Sequence, residues 1–566
     1  MPKTSERNNH HNMNMNMKNY EKEYASFVPK VPEYFNFAYD IVDAWAEKDR
    51  NKLAMIWTNQ AGEEKYFTFR QMKNLSNQIA NMMFKQNINK GDRVMLLLPR
   101  VPEWWTFALA AIKIGAVICP SPVLLTPHDL KYRINTGRFK MIVTDTDNLW
   151  KIQEIENECP NLKVKFLING DAEGWINYEK ELVYPAKAST KLSPFIGKIK
   201  TKATDPMVVF FSSGTTAQPK MVLHTQSYPL GHAITGKYWY DLKDNDLHFT
   251  VSDMGWGKSS WGKFYGPWMQ GACVFVYDYR GKFNATELLP LIEKYEITSF
   301  CAPPTIYRML ILADLSTFDF SELKHCVSAG ETLNPEVNRV WEAGTGLKIY
   351  EAYGQTETTA VIGTCPCMEH RPGSIGKPLP GWTVELHDEN GLPVPAGEEG
   401  RIAIKTDPRP VGLFKEYLDD PESTAEVFVN GWYYSGDKAR KDADGYFWFM
   451  GRDDDIIKSS GYRISPAEVE SALIEHPAVK ESAVVGSPDP IRGVIVKAFV
   501  VLKEGWAPSE TLVKELQTHV KKTTAPYKYP RAVEFVSELP KTISGKIRRV
   551  ELRRQEFAKA EEHQEE

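Results

Sequence analysis

The sequence of 566 residues contains no long apolar run, no apolar leader segment and no excess of either charge. Its longest apolar stretch, Phe107 to Cys119, is interrupted by Lys113 and is too short to cross a bilayer, so we expect a buried helix there. The first residues are polar, which argues against a secretory signal. A formal net charge of −4 gives no general attraction to nucleic acid or to anionic membranes. We therefore predict a protein with no membrane span and no nucleic-acid partner.

Cysteine is also scarce for a chain of this length. The seven cysteines are an odd number, which predicts reduced thiols and a cytoplasmic location. Cys365 and Cys367 flank a proline, but no second pair of cysteines or histidines stands at the spacing of a zinc site. The pattern therefore favours ordinary thiols over metal binding.

The order of apolar patterns predicts the fold class. Residues 1–19 are polar and predict a disordered tail. From 20 to 453, strand-like apolar runs alternate with helical patterns, which is typical of parallel-rich sheets covered by helices. Strands become denser between Gly373 and Phe449 and predict a β-rich lobe. Beyond it, residues 454–566 form a compact mixed pattern, so we expect a small α+β domain at the end of an α/β chain.

A glycine- and hydroxyl-rich loop is the most informative segment. It follows the apolar run Met207 to Phe210, which predicts a buried strand, and it carries hydroxyls, a glycine and a lysine that could contact a polyphosphate. These candidates are Ser212, Ser213, Gly214, Thr215, Thr216 and Lys220. The loop lacks the Gly-Lys-Ser/Thr ending of a Walker A motif, and an ordinary surface loop is the alternative interpretation.

A second motif, Tyr353-Gly354-Gln355-Thr356-Glu357, follows another strand-like run. Thr356 offers a hydroxyl to a phosphate, and Glu357 supplies the hard oxygen that Mg²⁺ prefers. A capped helix start is the alternative for these residues taken alone.

Three further residues extend the pattern. Asp437, after a tight turn, could accept hydrogen bonds from both hydroxyls of a ribose, and Arg452 could donate to the same sugar or to a phosphate. Lys546 follows a Ser-Gly turn, where a lysine can reach a developing negative charge. Taken alone, Asp437 could be an ordinary turn aspartate, Arg452 a surface arginine and Lys546 part of a solvated basic tail.

Together these motifs resemble the AMP-forming adenylating enzymes, a superfamily that includes acyl-CoA synthetases, peptide-synthetase adenylation domains and firefly luciferase. The resemblance runs from about Tyr34 to Phe557. The segments 328–337, 351–358 and 253–256 look most like medium-chain acyl-CoA synthetases.

The resemblance implies a role for each matching position. Ser212, Ser213, Gly214, Thr215, Thr216 and Lys220 would hold the ATP phosphates; Gly330, Glu331, Ala352 and Tyr353 would border the adenine; and Gly354, Gln355 and Arg463 would belong to the same nucleotide site. Thr356 would contact the α-phosphate, Glu357 would carry Mg²⁺, and Asp437 and Arg452 would hold the ribose. Lys546 would be catalytic. Asp454 would be the hinge of a mobile small domain, and Gly461 would line the CoA channel.

The implied reaction has two halves. A carboxylic acid attacks the α-phosphorus of Mg-ATP to form an acyl-adenylate and pyrophosphate, and CoA then attacks the acyl carbonyl and releases AMP. Rotation of the small domain about Asp454 would separate the two steps. Two alternatives remain open, namely a stand-alone adenylation enzyme that loads a carrier protein and a nucleotide-binding homologue without activity.

The acyl pocket is expected to involve Gly354, Trp239, Trp256 and Trp261. Relatives specific for acetate carry tryptophan at the position of Gly354, so the glycine predicts space for a longer chain. The three tryptophans could limit that space and favour short or branched acids, although core packing explains them equally well.

Overall fold

The computed structural model describes residues 15–182, 195, 197, 199–212, 219–280, 284–331, 333–452, 455, 457–459, 462–489, 493–524, 528–542 and 546–565. Over these residues the chain is a mixed α/β protein with two large parallel-rich sheets, a β-rich lobe and a small C-terminal unit, so the predicted fold class is confirmed.

The first large sheet has nine strands and a parallel centre. In spatial order its strands are Lys377–Pro378, Ile362–Gly363, Ile349–Tyr353, His325–Ala329, Ser299–Cys301, Leu247–Thr250, Cys273–Asp278, Leu53–Asn59 and Glu64–Thr68. The six strands from Ile349–Tyr353 to Leu53–Asn59 run parallel to one another, and antiparallel strands close both edges. Their side chains are buried on both faces, as expected for a sheet covered by helices.

The second large sheet has eight strands, in the order Glu416–Tyr417, Met221–Thr225, Pro206–Phe211, Val117–Pro120, Arg93–Leu97, Met141–Asp145, Val164–Ile168 and Ile176–Asn177. The strand predicted before the glycine- and hydroxyl-rich loop is therefore present as Pro206–Phe211, and the chain returns beside it as the antiparallel strand Met221–Thr225.

The β-rich lobe is an antiparallel sheet of Val384–His387, Glu399–Lys405, Phe428–Val429, Trp432–Lys441 and Phe447–Arg452. The C-terminal unit contains the hairpin Ile457–Ser459 and Tyr462–Ile464 and a three-stranded sheet of Val479–Asp489, Gly493–Leu502 and Ala532–Phe535. The lobe's last strand ends at Arg452, close to the predicted domain boundary.

Helices cover both large sheets and pack on both faces of the small one. The α-helices are Tyr20–Ser26, Ala44–Lys48, Phe69–Lys85, Pro102–Ile114, Pro127–Thr136, Leu149–Gln153, Tyr178–Glu181, Tyr228–Ile234, Gly257–Ser259, Gly266–Gln270, Leu288–Lys294, Pro304–Leu310, Pro335–Thr345, Pro421–Val427, Pro466–Ile474, Glu510–Thr523 and Arg549–Glu565. Three π-helical segments, Ala38–Asp43, Thr235–Trp239 and Ser260–Tyr265, are each continuous with an α-helix.

The apolar stretch 107–119 forms most of the helix Pro102–Ile114 and the strand Val117–Pro120, and both are buried, as predicted. Lys113 is buried with them, and its Nζ donates to Asp43 Oδ1 at 3.0 Å and to Asn77 Oδ1 at 2.6 Å. Among the described helices, none has the length and apolar content that a membrane crossing needs.

The boundary of the predicted disordered tail needs a correction. Residues 15–19 pack on the protein body, because the Asn16 amide donates to Lys237 O at 2.9 Å and the Met17 side chain is only 1% exposed. Of the two methionines that the structure describes in this tract, Met15 is half-buried, and Met17 belongs to the same core cluster as Tyr238 and Trp239. Residues 1–14 lie outside the described residues.

Candidate active site

Two neighbouring parallel strands bring the predicted adenine and phosphate residues together. The strand His325–Ala329 is followed by Gly330, and its parallel partner Ile349–Tyr353 is followed by Gly354. Both loops leave the same edge of the sheet, because the carboxyl ends of parallel strands point the same way. Gly330 has φ +103°, and a side chain there would meet nothing within 4 Å, so backbone conformation rather than space favours glycine at this position.

The described ends of the phosphate loop are held together. Ser212 N donates to Lys220 O at 2.9 Å, and Lys220 N donates to Ser212 Oγ at 3.3 Å. The Lys220 ammonium lies 4.9 Å from the centre of the Tyr417 ring. The predicted phosphate ligands Ser213, Gly214, Thr215 and Thr216 lie outside the described residues.

The catalytic segment 355–357 is fixed by residues that the sequence analysis missed. His224 hydrogen-bonds to Thr356 O at 2.8 Å, and the hydroxyl of Tyr417 donates to Glu357 Oε1 at 3.0 Å. Phe414 N donates to Glu357 O at 2.7 Å. These partners come from distant strands, and only the apolar patterns of those strands could have pointed to them.

The surroundings of Glu357 suit a nucleotide-bound magnesium ion. Burial raises the pKa of the Glu357 carboxyl, and the hydrogen bond from Tyr417 opposes that shift. Within the described part of the chain, no three side chains of histidine, cysteine, aspartate or glutamate are grouped closely enough to hold a metal by themselves. A single carboxylate is nevertheless what Mg²⁺ uses when substrate phosphates supply its other ligands.

Asp437 lies buried on the strand Trp432–Lys441, with its carboxylate oriented by two of the other predicted residues. Tyr353 Oη donates to Asp437 Oδ2 at 2.7 Å, and Gln355 Nε2 donates to the same oxygen at 2.6 Å. Burial raises the pKa of Asp437, while the hydrogen bond from Tyr353 and the charge of Arg452 lower it. Arg452 is the cross-strand partner of Asp437, so the predicted ribose pair is adjacent in space.

The predicted adenine-site residue Glu331 faces two side chains of the helix Pro304–Leu310. Thr305 Oγ1 donates to Glu331 Oε2 at 3.1 Å, and an Arg308 nitrogen lies 3.4 Å from the same oxygen. Ala352 is buried in the strand between Glu351 and Tyr353.

A buried acid within this strand escaped the sequence analysis. Glu351 is buried, and Leu333 N donates to its Oε2 at 3.2 Å. Burial raises the pKa of this carboxyl to about 8, so that it is largely protonated at neutral pH.

Glu351 should therefore make the stability of the protein fall as the pH rises from about 4.5 to about 8. In that window the unfolded chain loses the Glu351 proton while the folded protein keeps it, which costs on the order of 1.4 kcal/mol per pH unit. Glu351→Gln should flatten the fall in the unfolding midpoint between pH 5 and pH 8. Glu342→Gln, an exposed glutamate of the adjacent helix, is the matched control. An unchanged pH slope in Glu351→Gln would contradict a raised pKa.

Lys546 lies within electrostatic range of the nucleotide-site residues. Its positive charge lowers the pKa of Asp437 and that of Lys258, although burial is the main influence on both. Two hydrogen bonds join Lys546 to Thr542: Thr542 N donates to Lys546 O at 2.7 Å, and Lys546 N donates to Thr542 Oγ1 at 3.1 Å. Lys258, a half-buried lysine that the sequence analysis missed, donates to Ala329 O at 2.9 Å.

The C-terminal unit contacts the large domain at Asn334 and at Met450. The Asn334 amide donates to Ser471 O at 3.3 Å, and Ser465 Oγ hydrogen-bonds to Met450 O. Arg549 is paired with Glu470 inside the unit, and its pKa also responds to the charge of Glu331 across the boundary. The predicted hinge Asp454 and the predicted channel residue Gly461 lie outside the described residues, as does the side chain of Arg463.

The acyl-pocket prediction requires a correction at Gly354. A Cβ built at this glycine would lie 2.5 Å from Trp261 Cη2 and 2.4 Å from Thr359 O. The space that the missing side chain leaves is therefore filled by the indole of Trp261, and Gly354 does not by itself open room for a longer acid. The physical reason is close packing, since an unfilled volume of that size would lose many contacts.

The predicted tryptophans occupy two positions. Trp239 and Trp261 are both buried, with ring centres 6.3 Å apart. Trp256 is half-buried and precedes the short helix Gly257–Ser259. A Cβ built on Gly257, the first residue of this helix, would lie 3.9 Å from Thr356 Cα. The structure thus brings Trp239, Trp261 and Gly354 together, and it places Trp256 beside the catalytic segment.

Comparison with known proteins agrees with these motifs. The model of the AMP-binding enzyme family matches residues 42–418, and the model of the AMP-binding enzyme C-terminal domain matches residues 468–546. Acyl-coenzyme A synthetase ACSM3, mitochondrial, from Rattus norvegicus is 46% identical over 553 residues, which is 96% of this chain and 94% of that protein. Acyl-coenzyme A synthetase ACSM5, mitochondrial, from Homo sapiens is 45% identical over 94% of this chain and 92% of its own length.

Solved structures agree as well. The anthranilate CoA ligase AuaEII, crystallised with anthranoyl-AMP, has a TM-score of 0.85 and 33% identity, covering 94% of this chain and 99% of its own. An acyl-CoA synthetase from Brucella canis has a TM-score of 0.72 and 34% identity, covering 96% of this chain and 100% of its own.

The prediction of a cytoplasmic location is wrong, because these curated relatives are mitochondrial proteins. All seven cysteines are free thiols, as expected. Free thiols argue only against an oxidising compartment, so they could not separate the cytoplasm from other reducing compartments.

Proposed function

We propose that this chain, which belongs to the AMP-binding enzyme family and is an AMP-forming acyl-CoA synthetase, activates a short- to medium-chain carboxylic acid with Mg-ATP in a mitochondrial setting. The observation that supports the proposal is the buried Asp437 carboxylate, which accepts hydrogen bonds from Tyr353 and Gln355 of the segment that leads to Thr356 and Glu357, with Arg452 as its cross-strand partner. The mitochondrial setting rests on the names of the relatives.

In the first half-reaction the protein's contribution is positioning and charge neutralisation. Asp437 would accept hydrogen bonds from the ribose, and its orientation by Tyr353 and Gln355 prepares it for that contact. Glu357 would hold Mg²⁺, which neutralises phosphate charge when bound. Lys546 would stabilise the charge that develops as the acid oxygen attacks the α-phosphorus.

In the second half-reaction the CoA thiol attacks the acyl carbonyl and AMP leaves. The thiol needs access that Lys546 and its loop would obstruct. Rotation of residues 454–566 about Asp454 would withdraw them and present Gly461 to the pantetheine arm.

The limit on acyl length would be set by Trp261. Its indole fills the volume above Gly354 and lies against Trp239, so the pocket should end near this ring. A buried indole cannot be displaced cheaply, because truncating a large core aromatic costs about 3–5 kcal/mol. The enzyme should therefore accept short or branched acids more readily than long straight ones.

Trp261→Leu should move the preferred acid towards longer chains. Removal of part of the indole creates apolar volume, and each added methylene that fills such volume is worth about 1–3 kcal/mol of discrimination. We expect kcat/KM for six- to eight-carbon acids to rise relative to that for propanoate. Trp341→Leu, a fully buried tryptophan in a different core cluster, controls for general destabilisation. If the chain-length profile shifted equally in both variants, the prediction that Trp261 limits the acyl pocket would be contradicted.

The decisive experiment is acid-dependent pyrophosphate exchange with a panel of carboxylic acids of two to eight carbons. The acids that support exchange would define the substrate class. If no acid of the panel supported exchange, the proposed short- to medium-chain class would be contradicted. Addition of CoA then tests for thioester formation. Exchange without thioester formation from CoA would instead support loading of a carrier protein.

A further inference from the structure

The loop 252–256 ends at Trp256, a residue predicted to line the acyl pocket. The next residue, Gly257, begins a short helix beside the catalytic segment, because a Cβ built on Gly257 would lie 3.9 Å from Thr356 Cα. Trp256 itself is half-buried. The conformation of the loop therefore determines where the Trp256 indole stands relative to Thr356.

Arg100 contacts this loop from the other large sheet. It follows the strand Arg93–Leu97 of the eight-stranded sheet, whereas the loop follows the strand Leu247–Thr250 of the nine-stranded sheet. The Nη2 atom of Arg100 lies 3.6 Å from Asp253 Oδ2, and the two side chains are only 9% and 11% exposed. The pair is therefore a buried ionic contact between segments of the two sheets.

The Arg100 guanidinium is itself fixed by Tyr279. Nη2 donates to Tyr279 Oη at 2.7 Å, and Nη1 donates to Tyr279 O at 3.3 Å. The guanidinium also stacks on the Tyr279 ring, with Cζ 3.7 Å from the ring centre. Arg100 therefore presents a cation to the loop from a defined place.

Asp253 uses its two carboxylate oxygens differently. Oδ2 faces Arg100, whereas Oδ1 accepts a hydrogen bond from Gly255 N at 3.0 Å, as in the turns that aspartate side chains form with the backbone two residues on. The turn packs closely on Pro122, because a Cβ built on Gly255 would lie 2.1 Å from Pro122 N. Asp253 thus joins the ionic contact to the backbone that leads to Trp256.

Stability alone does not require a buried ion pair at this place. The cost of removing two charges from water offsets much of their attraction, and apolar residues of similar volume are often at least as stabilising. What the pair adds is a preference for one arrangement of the loop. A shift of the loop would separate Asp253 from Arg100 in surroundings where little water is available to replace the contact.

We propose that Arg100 and Asp253 are positioning residues, which fix the loop 252–256 and thereby the orientation of Trp256 in the acyl pocket. Both residues act through Trp256 and make no contact with the acid themselves. This inference rests on the proposed function, because it takes Trp256 as a wall of the pocket that binds the acid. It assigns a part in acid binding to an arginine of the other sheet.

Asp253→Asn tests the ionic contact with little change of shape. The amide oxygen can still accept from Gly255 N, but the charge opposite Arg100 is lost. Pyrophosphate exchange is measured with the acid of the two- to eight-carbon panel that the wild type exchanges fastest. We expect KM for this acid to rise about tenfold, because a misplacement of about 1 Å can cost up to about 100-fold. KM for ATP should change by less than about twofold, since Asp437 and Arg452 would still hold the ribose.

Asp43→Asn is the matched control. The Asp43 side chain is 14% exposed and its Oδ1 lies 3.0 Å from Lys113 Nζ, so the substitution removes the same charge from a comparable buried pair. It should leave both KM values unchanged, because Asp43 contacts neither the loop 252–256 nor the catalytic segment. Thermal midpoints show whether each variant is folded and compare the losses of stability.

A double-mutant cycle determines whether Asp253 acts through Trp256. If it does, Trp256→Leu already removes what Asp253 positions, and Asp253→Asn should then change KM for the acid by less than about twofold in that background. A role in general stability would instead give the two substitutions independent effects. Arg100→Met should behave like Asp253→Asn in both backgrounds, and Arg100→Lys, which keeps a cation opposite Asp253, should have the smaller effect.

Three results would overturn the positioning role. They are an unchanged KM for the acid in folded Asp253→Asn, an equal rise in Asp43→Asn, and a full effect of Asp253→Asn in the Trp256→Leu background. In each case the proposed function would still stand, because the wild type would activate the acid. If the wild type gave no exchange with any acid of the panel, the proposed substrate class and the positioning role would both fail.

Discussion

Lys546→Ala should lose most of the adenylate-forming half-reaction and keep the thioester-forming half. The positive charge of Lys546 lowers the pKa of Asp437 and that of Lys258, and we propose that the same charge stabilises the α-phosphate during attack. Removing one preorganised electrostatic stabiliser typically costs about 100- to 1000-fold in rate. We expect acid-dependent pyrophosphate exchange to fall by that factor.

The second half-reaction provides the internal comparison. Presynthesised acyl-adenylate and CoA should give thioester at near wild-type rate in Lys546→Ala, because the lysine would have left the site at that stage. Lys541→Ala is a matched control: Lys541 lies in the same C-terminal segment, but its ammonium is paired with Glu481 at 2.7 Å. An equal loss of both half-reactions in Lys546→Ala would assign the lysine a structural role or a role in both states.

Asp437→Ala should weaken both half-reactions, in contrast to Lys546→Ala. The Asp437 carboxylate would hold the ribose of ATP and that of the acyl-adenylate alike, and it is buried, so its hydrogen bonds are made away from bulk water. Hydrogen bonds to a charged group are worth about 1.5–3 kcal/mol each. Two of them to a ribose predict a rise of about 100-fold or more in KM for ATP, measured by pyrophosphate exchange.

Two variants distinguish the ribose contact of Asp437 from the contacts that surround its carboxylate. Tyr353→Phe removes one donor to Asp437 Oδ2 and leaves the carboxylate in place, so its effect should be much smaller. Asp442→Asn alters an aspartate that follows the same strand and pairs with Arg371 at 2.6 Å, and it should leave KM for ATP unchanged. If Asp437→Ala impaired only the first half-reaction, a ribose contact common to both steps would be contradicted.

Local motifs were sufficient to predict residues of the candidate nucleotide site that lie together in the structure. Each motif follows a strand, and its chemistry depends on a loop whose shape is encoded by neighbouring glycines and hydroxyls. That is why the segment 353–357, Asp437 and Arg452 were identifiable from their immediate sequence and lie together in the structure. Their supports were not identifiable, because His224 and Tyr417 reach residues 356 and 357 only through tertiary contacts.

The sequence by itself determined the fold class, the family and the chemical type of the nucleotide site, because strand-ending loops carry their own recognisable residues. Only the tertiary structure decided what fills the space beside Gly354. It placed Trp261, 93 positions before Gly354, in the space above that glycine, and it packed Trp239 against the same indole. Such contacts depend on the packing of segments that are distant in the sequence. The sequence therefore does not show which side chain fills the space beside a glycine.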